Sequence, residues 1–194
     1  MSEVKNVLDE WESVEAPPPP AVKSIRLDQK KTALLLLDFL REVCTDEFRP
    51  RAAAALPKLK DFLERARKCD VVVVHTVTSQ GAGSLKEFAD ALMPIEGERI
   101  YSAQIDKFHG TDLETYLRGR GVDTVIIAGT SPNGCVLFTT AGALLRGFRP
   151  VVPVDGMPAN TTYQEQFVAW HMANAGGGFS KSGVLTRLDE ISFL

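Results

Sequence analysis

The sequence predicts an α/β domain in which a mostly parallel sheet carries helices on both faces. Short, continuous runs rich in Val, Ile and Leu at 33–37, 71–74, 124–128 and 151–154 have the composition of strands buried on both sides. Segments with helical hydrophobic period separate these runs, the alternation that builds parallel sheets. The 194 residues, 44% hydrophobic and 24% charged, suffice for one domain that buries about 70% of its unfolded surface without help from metals or disulfides.

Taken in order, Val4, Val7, Leu8, Trp11 and Val14 recur at helical spacing, and Ala16 then leads into four prolines, Pro17 to Pro20. Prolines in series favour extended polyproline geometry. Residues 1–20 are therefore expected to form a helical arm with a proline-rich spacer, and residues 21–194 the main domain. The arm either packs on its own domain or reaches a neighbouring subunit; the second use would make a homo-oligomer, dimer or tetramer. After the first strand, Leu59, Phe62, Leu63 and Ala66 share a helix face, with a start expected near Pro57. Thr111-Asp112-Leu113-Glu114 has capping-box spacing and opens a helix that closes before Gly121. A third helix follows Cys135 and stops at Gly147. A fourth opens at Thr162, with Glu165 three residues on, and is expected to bury Phe167, Trp170 and His171.

Composition excludes several classes. The net charge is −3 and the basic residues are dispersed, so no nucleic-acid footprint is expected. The longest wholly apolar run, Ala33 to Leu37, is far below the ~20 residues of a membrane span. Met1-Ser2-Glu3-Val4-Lys5 lacks the basic-then-apolar profile of a secretory signal. Cys44, Cys69 and Cys135 have no CxxC spacing, which argues against a disulfide framework or a zinc–thiolate site and fits the cytoplasm. His75, His109 and His171 are scattered, so no metal or cofactor is expected.

In open parallel sheets, ligands bind beyond the carboxyl ends of the strands. Those ends carry Asp38-Phe39, His75-Thr76, the turn Gly129 to Cys135, and Asp155-Gly156. Cys135 opens a helix behind a turn rich in Gly, Pro and Asn. A thiol there is expected to have a depressed pKa and backbone N–H groups ready for an oxyanion; its bland alternative is a small buried hydrophobe. Cys44 and Cys69 have no such setting and read as structural. Asp38 caps a neighbouring turn, or it takes the Cys135 proton and returns it to a leaving amine. A thiolate beside a carboxylate needs a cation. Lys107, in Ile105-Asp106-Lys107-Phe108-His109-Gly110, is the candidate, unless it is an ordinary surface charge. His75 is an alternative base, His171 a hydrogen-bonded core histidine, and Asp155 an anchor for its own loop. Candidates to line a small-molecule substrate pocket are Phe39, Phe48, Tyr101, Gln104 and Asn133.

The stretch Asp123 to Val136, with Thr139-Thr140, Arg146-Gly147-Phe148, Val151 to Asp155, Leu34 to Asp38 and Gly110 to Leu113, resembles the isochorismatase-like cysteine hydrolases over about residues 30–190. The resemblance implies a three-layer α/β/α fold and an Asp–Lys–Cys triad: Asp38 as general base and acid, Lys107 as the cation, Cys135 as nucleophile. It also implies a non-proline cis peptide at Thr130–Ser131, with the Ser131 and Cys135 amides as oxyanion hole. Counted without gaps from Gly129, the family's usual lysine falls on Ser102, five residues before Lys107. Either Lys107 takes its place or the triad is incomplete. The Asp-x-His metal pattern of the family's nicotinamidases has no counterpart in Cys44 to Phe48, so that activity is not expected. The implied chemistry is hydrolysis of a small amide or carbamoyl C–N bond through a thioester. The alternatives are vinyl-ether hydrolysis of the isochorismate type, in which the thiol is dispensable, and a binding or assembly protein that keeps the fold alone.

Overall fold

The computed structural model describes residues 6–78, 87–176 and 178–194. Along the chain lie α1 (Val7–Glu10), β1 (Ile25–Leu27), β2 (Thr32–Leu37), α2 (Pro50–Lys68), β3 (Val72–Val77), β4 (Arg99–Ser102), α3 (Leu113–Gly119), β5 (Thr124–Gly129), α4 (Leu137–Leu145), β6 (Arg149–Pro153), α5 (Thr162–Asn174), α6 (Gly178–Ser182), β7 (Val184–Thr186) and β8 (Ile191–Phe193). Six strands form a wholly parallel sheet in the order β4-β3-β2-β5-β6-β7, and β1 pairs with β8 apart from it. The chain winds outward from β2 to β4, then returns to place β5 beside β2. The boundary between β2 and β5 is thus the topological switch point, where a crevice opens at the strand ends.

Side chains of β2 alternate between two cores, as strand geometry demands. Leu34 and Leu36 pack with Ala52, Leu59, Phe62, Leu63 and Ala66 of α2. Ala33, Leu35 and Leu37 pack on the other face with Leu113 and Leu117 of α3, Ala143 of α4, and Val168 and Met172 of α5. Every residue of β2 is buried, and each leucine so placed contributes about 1.5–3 kcal/mol. This is the three-layer arrangement expected of the chain.

Several boundaries differ from expectation. Helix α2 begins at Pro50, with Pro57 inside it. Four alanines, Ala52 to Ala55, are strong helix formers and carry the helix through the turn before Pro57. Strand β3 runs on to Val77, so His75 and Thr76 belong to the strand rather than following it. At α3, the Thr111 hydroxyl donates to Lys107 O (2.7 Å) and accepts from Leu113 N (3.4 Å), while Glu114 pairs with Arg146 (3.3 Å) instead of closing a capping box. The capping box of α5 uses Thr161 and Gln164. That helix buries Val168, Ala169 and Met172, whereas Phe167 and Trp170 are 40% and 36% exposed and His171 is half-buried. The expected buried face was wrong by about one residue's rotation.

The arm also departs from expectation. Helix α1 is four residues long and buries nothing, leaving Val7, Leu8 and Trp11 exposed; Val4 lies outside the described residues. The spacer, not the helix, touches the domain. Val14, Ala16 and Pro17 lie beside Tyr163, Phe167 and Trp170, and Gln166 Nε2 donates to Pro17 O (2.7 Å). No helix among the described residues is long and apolar enough to cross a membrane.

Two positions yield tests. Gly129 ends β5 directly opposite Leu37 of β2. A Cβ there would stand 2.6 Å from Leu37 Cβ and 3.1 Å from Val136 Cγ2, so the strands carrying the site approach too closely for any side chain. Gly129→Ala is expected to cost about 1–3 kcal/mol as overpacking, measured as a fall in the denaturation midpoint. Glu98 receives Arg67 (2.8 Å) and His75 Nε2 (2.8 Å) in a largely buried cluster. Burial alone would raise its pKa, but Arg67, His75 and the Ile95 N–H outweigh it and hold the carboxyl at about 2. A carboxyl depressed on folding stabilises above its unfolded pKa, and that stability fades as pH falls through the folded value. Thermal melts between pH 7 and pH 2 should therefore show Glu98→Gln less stable at pH 7 and losing less stability on acidification.

Candidate active site

Asp38 leaves β2 in the left-handed region (φ 55°), a conformation that Asp tolerates better than most residues. Its N–H donates to Thr76 O (3.2 Å), and its side chain is buried. Three hydrogen bonds fix the carboxylate: Thr76 Oγ1 donates to Oδ1 (2.8 Å), and Lys107 Nζ donates to Oδ1 (2.9 Å) and Oδ2 (2.7 Å). The third ammonium hydrogen goes to Ala103 O (3.1 Å). Lys107 has no solvent exposure at all, so its amine does not point into water. Ser102, at the usual lysine position by ungapped counting, is an exposed residue ending the edge strand β4.

The segment carrying Lys107 is bound to α4. Lys107 N–H donates to Thr139 Oγ1 (3.2 Å), whose hydroxyl faces Ile105 O (3.4 Å). The Asp106 carboxylate lies where a Cβ on Gly142 would stand, 2.4 Å from that point, and accepts from Phe108 N (3.0 Å). Glycine at 142 is what allows the loop to lie on the helix.

Cys135 sits at the end of the turn Pro132–Val136, just before α4. The Thr130–Ser131 peptide is cis. Ser131 O accepts from Gly134 N (3.2 Å), Val136 N (3.4 Å) and the Cys135 thiol (3.6 Å), which gathers the turn around one carbonyl. The expected depressed thiol pKa is overturned. Burial first, then the charge of Asp38, pushes the pKa up; the charge of Lys107 opposes this only in part. The dipole argument omitted both desolvation and the adjacent anion. Both causes favour the protonated form of the resting thiol.

A cavity of about 390 Å³ opens on these groups, lined by Asp38, Lys107, Ser131 and Cys135 together with Leu40, Val43, Phe48, Arg49, Gln104 and Thr130, among others. Of the residues expected to line a pocket, Phe48 and Gln104 do so. Phe39 is instead 2% exposed in the core beneath α2, because it leaves the strand end opposite to Asp38. Tyr101 turns into the other core, its ring 6.4 Å from Tyr116. Asn133 is exposed on the turn, away from the cavity lining. His75 is bound to Glu98 and packed edge-on against Phe88, remote from the thiol in function. Asp155 accepts from Leu188 N (2.9 Å) and pairs with Lys58, tying down its loop. Cys44 is buried, with its thiol pushed up to about 11 by burial, and Cys69 caps α2. Sequence reasoning placed Thr76 at a strand end and Thr130 in the cis peptide without giving either a role at the site, and it missed Arg49. Among the described residues, no three His, Cys, Asp or Glu side chains group as metal ligands.

A family model described as the Isochorismatase domain matches residues 32–182. The chain belongs to the isochorismatase family. Maleamate amidohydrolase from Pseudomonas putida is 32% identical over 149 residues, 63% of this chain and 70% of that protein. N-carbamoylsarcosine amidase from an Arthrobacter species is 37% identical over 104 residues, 53% of this chain but only 39% of that one. Among solved structures, an isochorismatase-like hydrolase from Alkaliphilus metalliredigens superposes with a TM-score of 0.73 at 25% identity, covering 82% of this chain and 96% of that one. N-carbamoylsarcosine amidase from Thermoplasma acidophilum gives 0.69 at 24%, covering 82% and 97%, a likeness of fold. In this isochorismatase-family chain, the match spans β2, the Lys107 loop and the Cys135 turn alike.

The electrostatics predict a reactivity order. Iodoacetamide should alkylate Cys135 slowly at pH 7 and faster as pH rises. Asp38→Asn, which removes the anion that holds the proton on sulfur, should accelerate it by roughly tenfold, the effect of one pKa unit. Lys107→Met should slow it further. Mass-spectrometric labelling rates read all three.

Proposed function

We propose that this isochorismatase-family protein is a cysteine hydrolase of small amide or carbamoyl C–N bonds, working through a thioester. One observation carries the reading: at the switch point of the sheet, a buried carboxylate paired with a buried ammonium lines the same cavity as a buried thiol. Asp38 takes the Cys135 proton as sulfur attacks the carbonyl carbon, so negative charge passes from Asp38 to sulfur and on to the substrate oxygen. Lys107, fixed beside Asp38, keeps a cation next to the charge throughout. The Ser131 and Cys135 N–H groups receive the oxyanion. Collapse of the tetrahedral adduct breaks the C–N bond, and protonated Asp38 gives its proton to the leaving nitrogen. Water, deprotonated by Asp38, then cleaves the thioester, releasing the acid and restoring the thiol.

The names of the relatives support this chemistry, since maleamate amidohydrolase and N-carbamoylsarcosine amidase both break non-peptide C–N bonds. A homo-oligomer belongs to the same proposal. Its support is the unpacked apolar side of the arm, Val7, Leu8 and Trp11, together with the exposed Phe167 and Trp170.

Cys135→Ala should lower turnover of a hydrolysed amide by at least about a thousandfold, with the fold retained by circular dichroism. Ammonia release from an amide panel measures it. Parent-level amidase activity in that variant would sink the thioester route, and retained hydrolysis of isochorismate would point to vinyl-ether chemistry instead.

A further inference from the structure

The cavity around Cys135 holds a charge that acyl transfer does not use. Arg49 ends the loop after β2, immediately before Pro50 opens α2, and lines the same cavity as Asp38, Lys107, Ser131 and Cys135. The residue is half-buried, with its guanidinium carbon 5.7 Å from the centre of the Phe48 ring. Nε donates to Asn160 Oδ1 (2.9 Å) and Nη1 donates to Thr130 Oγ1. Both partners are neutral. Among the described residues, no carboxylate lies within 4.0 Å of this guanidinium. Its neighbours on the other side of Pro50 differ: Arg51 pairs with Glu165 and Lys58 with Asp155.

Of the charged groups lining the cavity, Arg49 is the half-buried one left without an ion pair. Asp38 and Lys107 neutralise each other. Glu42 lines the cavity as an exposed residue and makes no ion pair with Arg49. A guanidinium stays charged at every physiological pH and offers five N–H donors. Two are spent here, leaving three, both Nη2 hydrogens among them. A partly desolvated cation with unspent donors facing a small cavity is matched by an anion of planar, two-oxygen geometry.

We propose that Arg49 receives a carboxylate of the substrate, so that the substrate is a short acid-amide: a scissile amide or carbamoyl group for Cys135 at one end and a carboxylate at the other. The inference rests on the hydrolase reading for the identity of the reacting end only. Arg49 acts on binding, and through Thr130 it holds the anion site in register with the turn that carries the nucleophile. A residue that merely braced that turn would affect charged and neutral substrates alike.

The test uses matched pairs, the monoamides of two- to five-carbon dicarboxylic acids against the diamides of the same acids. Calorimetry on Cys135→Ala protein measures binding without turnover. At one chain length or more, the acid-amide should bind at least about tenfold tighter than its diamide. Arg49→Gln in that background should abolish the preference, and Arg49→Lys, which keeps the charge, should retain part of it. In the active enzyme, the ratio of kcat/KM for acid-amide over diamide should fall by about tenfold or more in Arg49→Gln. No preference at any chain length, or a ratio that Arg49→Gln leaves unchanged, overturns the proposal. A binding preference without hydrolysis by the parent protein would instead strike the hydrolase reading and leave the Arg49 site standing.

Discussion

The contact between Asp38 and Lys107, almost wholly buried, decides the arrangement of everything around it. Removing two ions from water costs several kcal/mol per ion, and their mutual attraction repays this only when the remaining hydrogen-bonding capacity is also met. Here it is met: Thr76 and the ammonium share the carboxylate, and Ala103 O takes the hydrogen left over. Such a pair adds little net stability, but losing either member would strand the other at about 3–5 kcal/mol. The pair is therefore a geometric constraint more than an adhesive. It fixes the end of β2, the Lys107 loop and, through Thr139 and Gly142, the helix that follows the nucleophile.

That arrangement alters how the thiol is understood. A sulfur already ionised would be reactive toward any electrophile that entered the cavity. With its proton favoured by burial and by the neighbouring carboxylate, the attack we propose is coupled to proton transfer and so to a correctly seated carbonyl. The cation still matters, because it balances one negative charge whether that charge rests on oxygen or on sulfur.

The parts of this design that were legible in the sequence are those written in local pattern. Central strands announce themselves by unbroken Val, Ile and Leu, and the Cys135 turn by its Gly, Pro and Asn. Asp38 stands out because an acid ends an apolar strand. Properties that depend on what packs against a residue were not legible. Phe39 and Tyr101 followed the right strands but turned into opposite cores. Phe167 and Trp170, hydrophobic by type, lie on the outer side of α5 because Val168 and Met172 claim the inner one. Arg49 reaches the cavity only because α2 begins at Pro50 and delivers the preceding loop to the sheet edge, which no periodicity encodes. The thiol pKa failed for the same reason, since a dipole is visible in sequence and desolvation is not.

The mooring of the Lys107 loop to α4 has a consequence for how relatives are compared. An amine whose place is set by a carboxylate nested over a helix glycine and by a threonine hydroxyl one turn earlier owes nothing to a fixed number of residues from the sheet. Insertions between the edge strand and that mooring can slide the lysine along the alignment while its nitrogen stays where it is. Counting backward from Gly129 without gaps then finds Ser102 and suggests an incomplete triad. In this chain, the acidic residue that lies over the helix glycine has the lysine in the very next position.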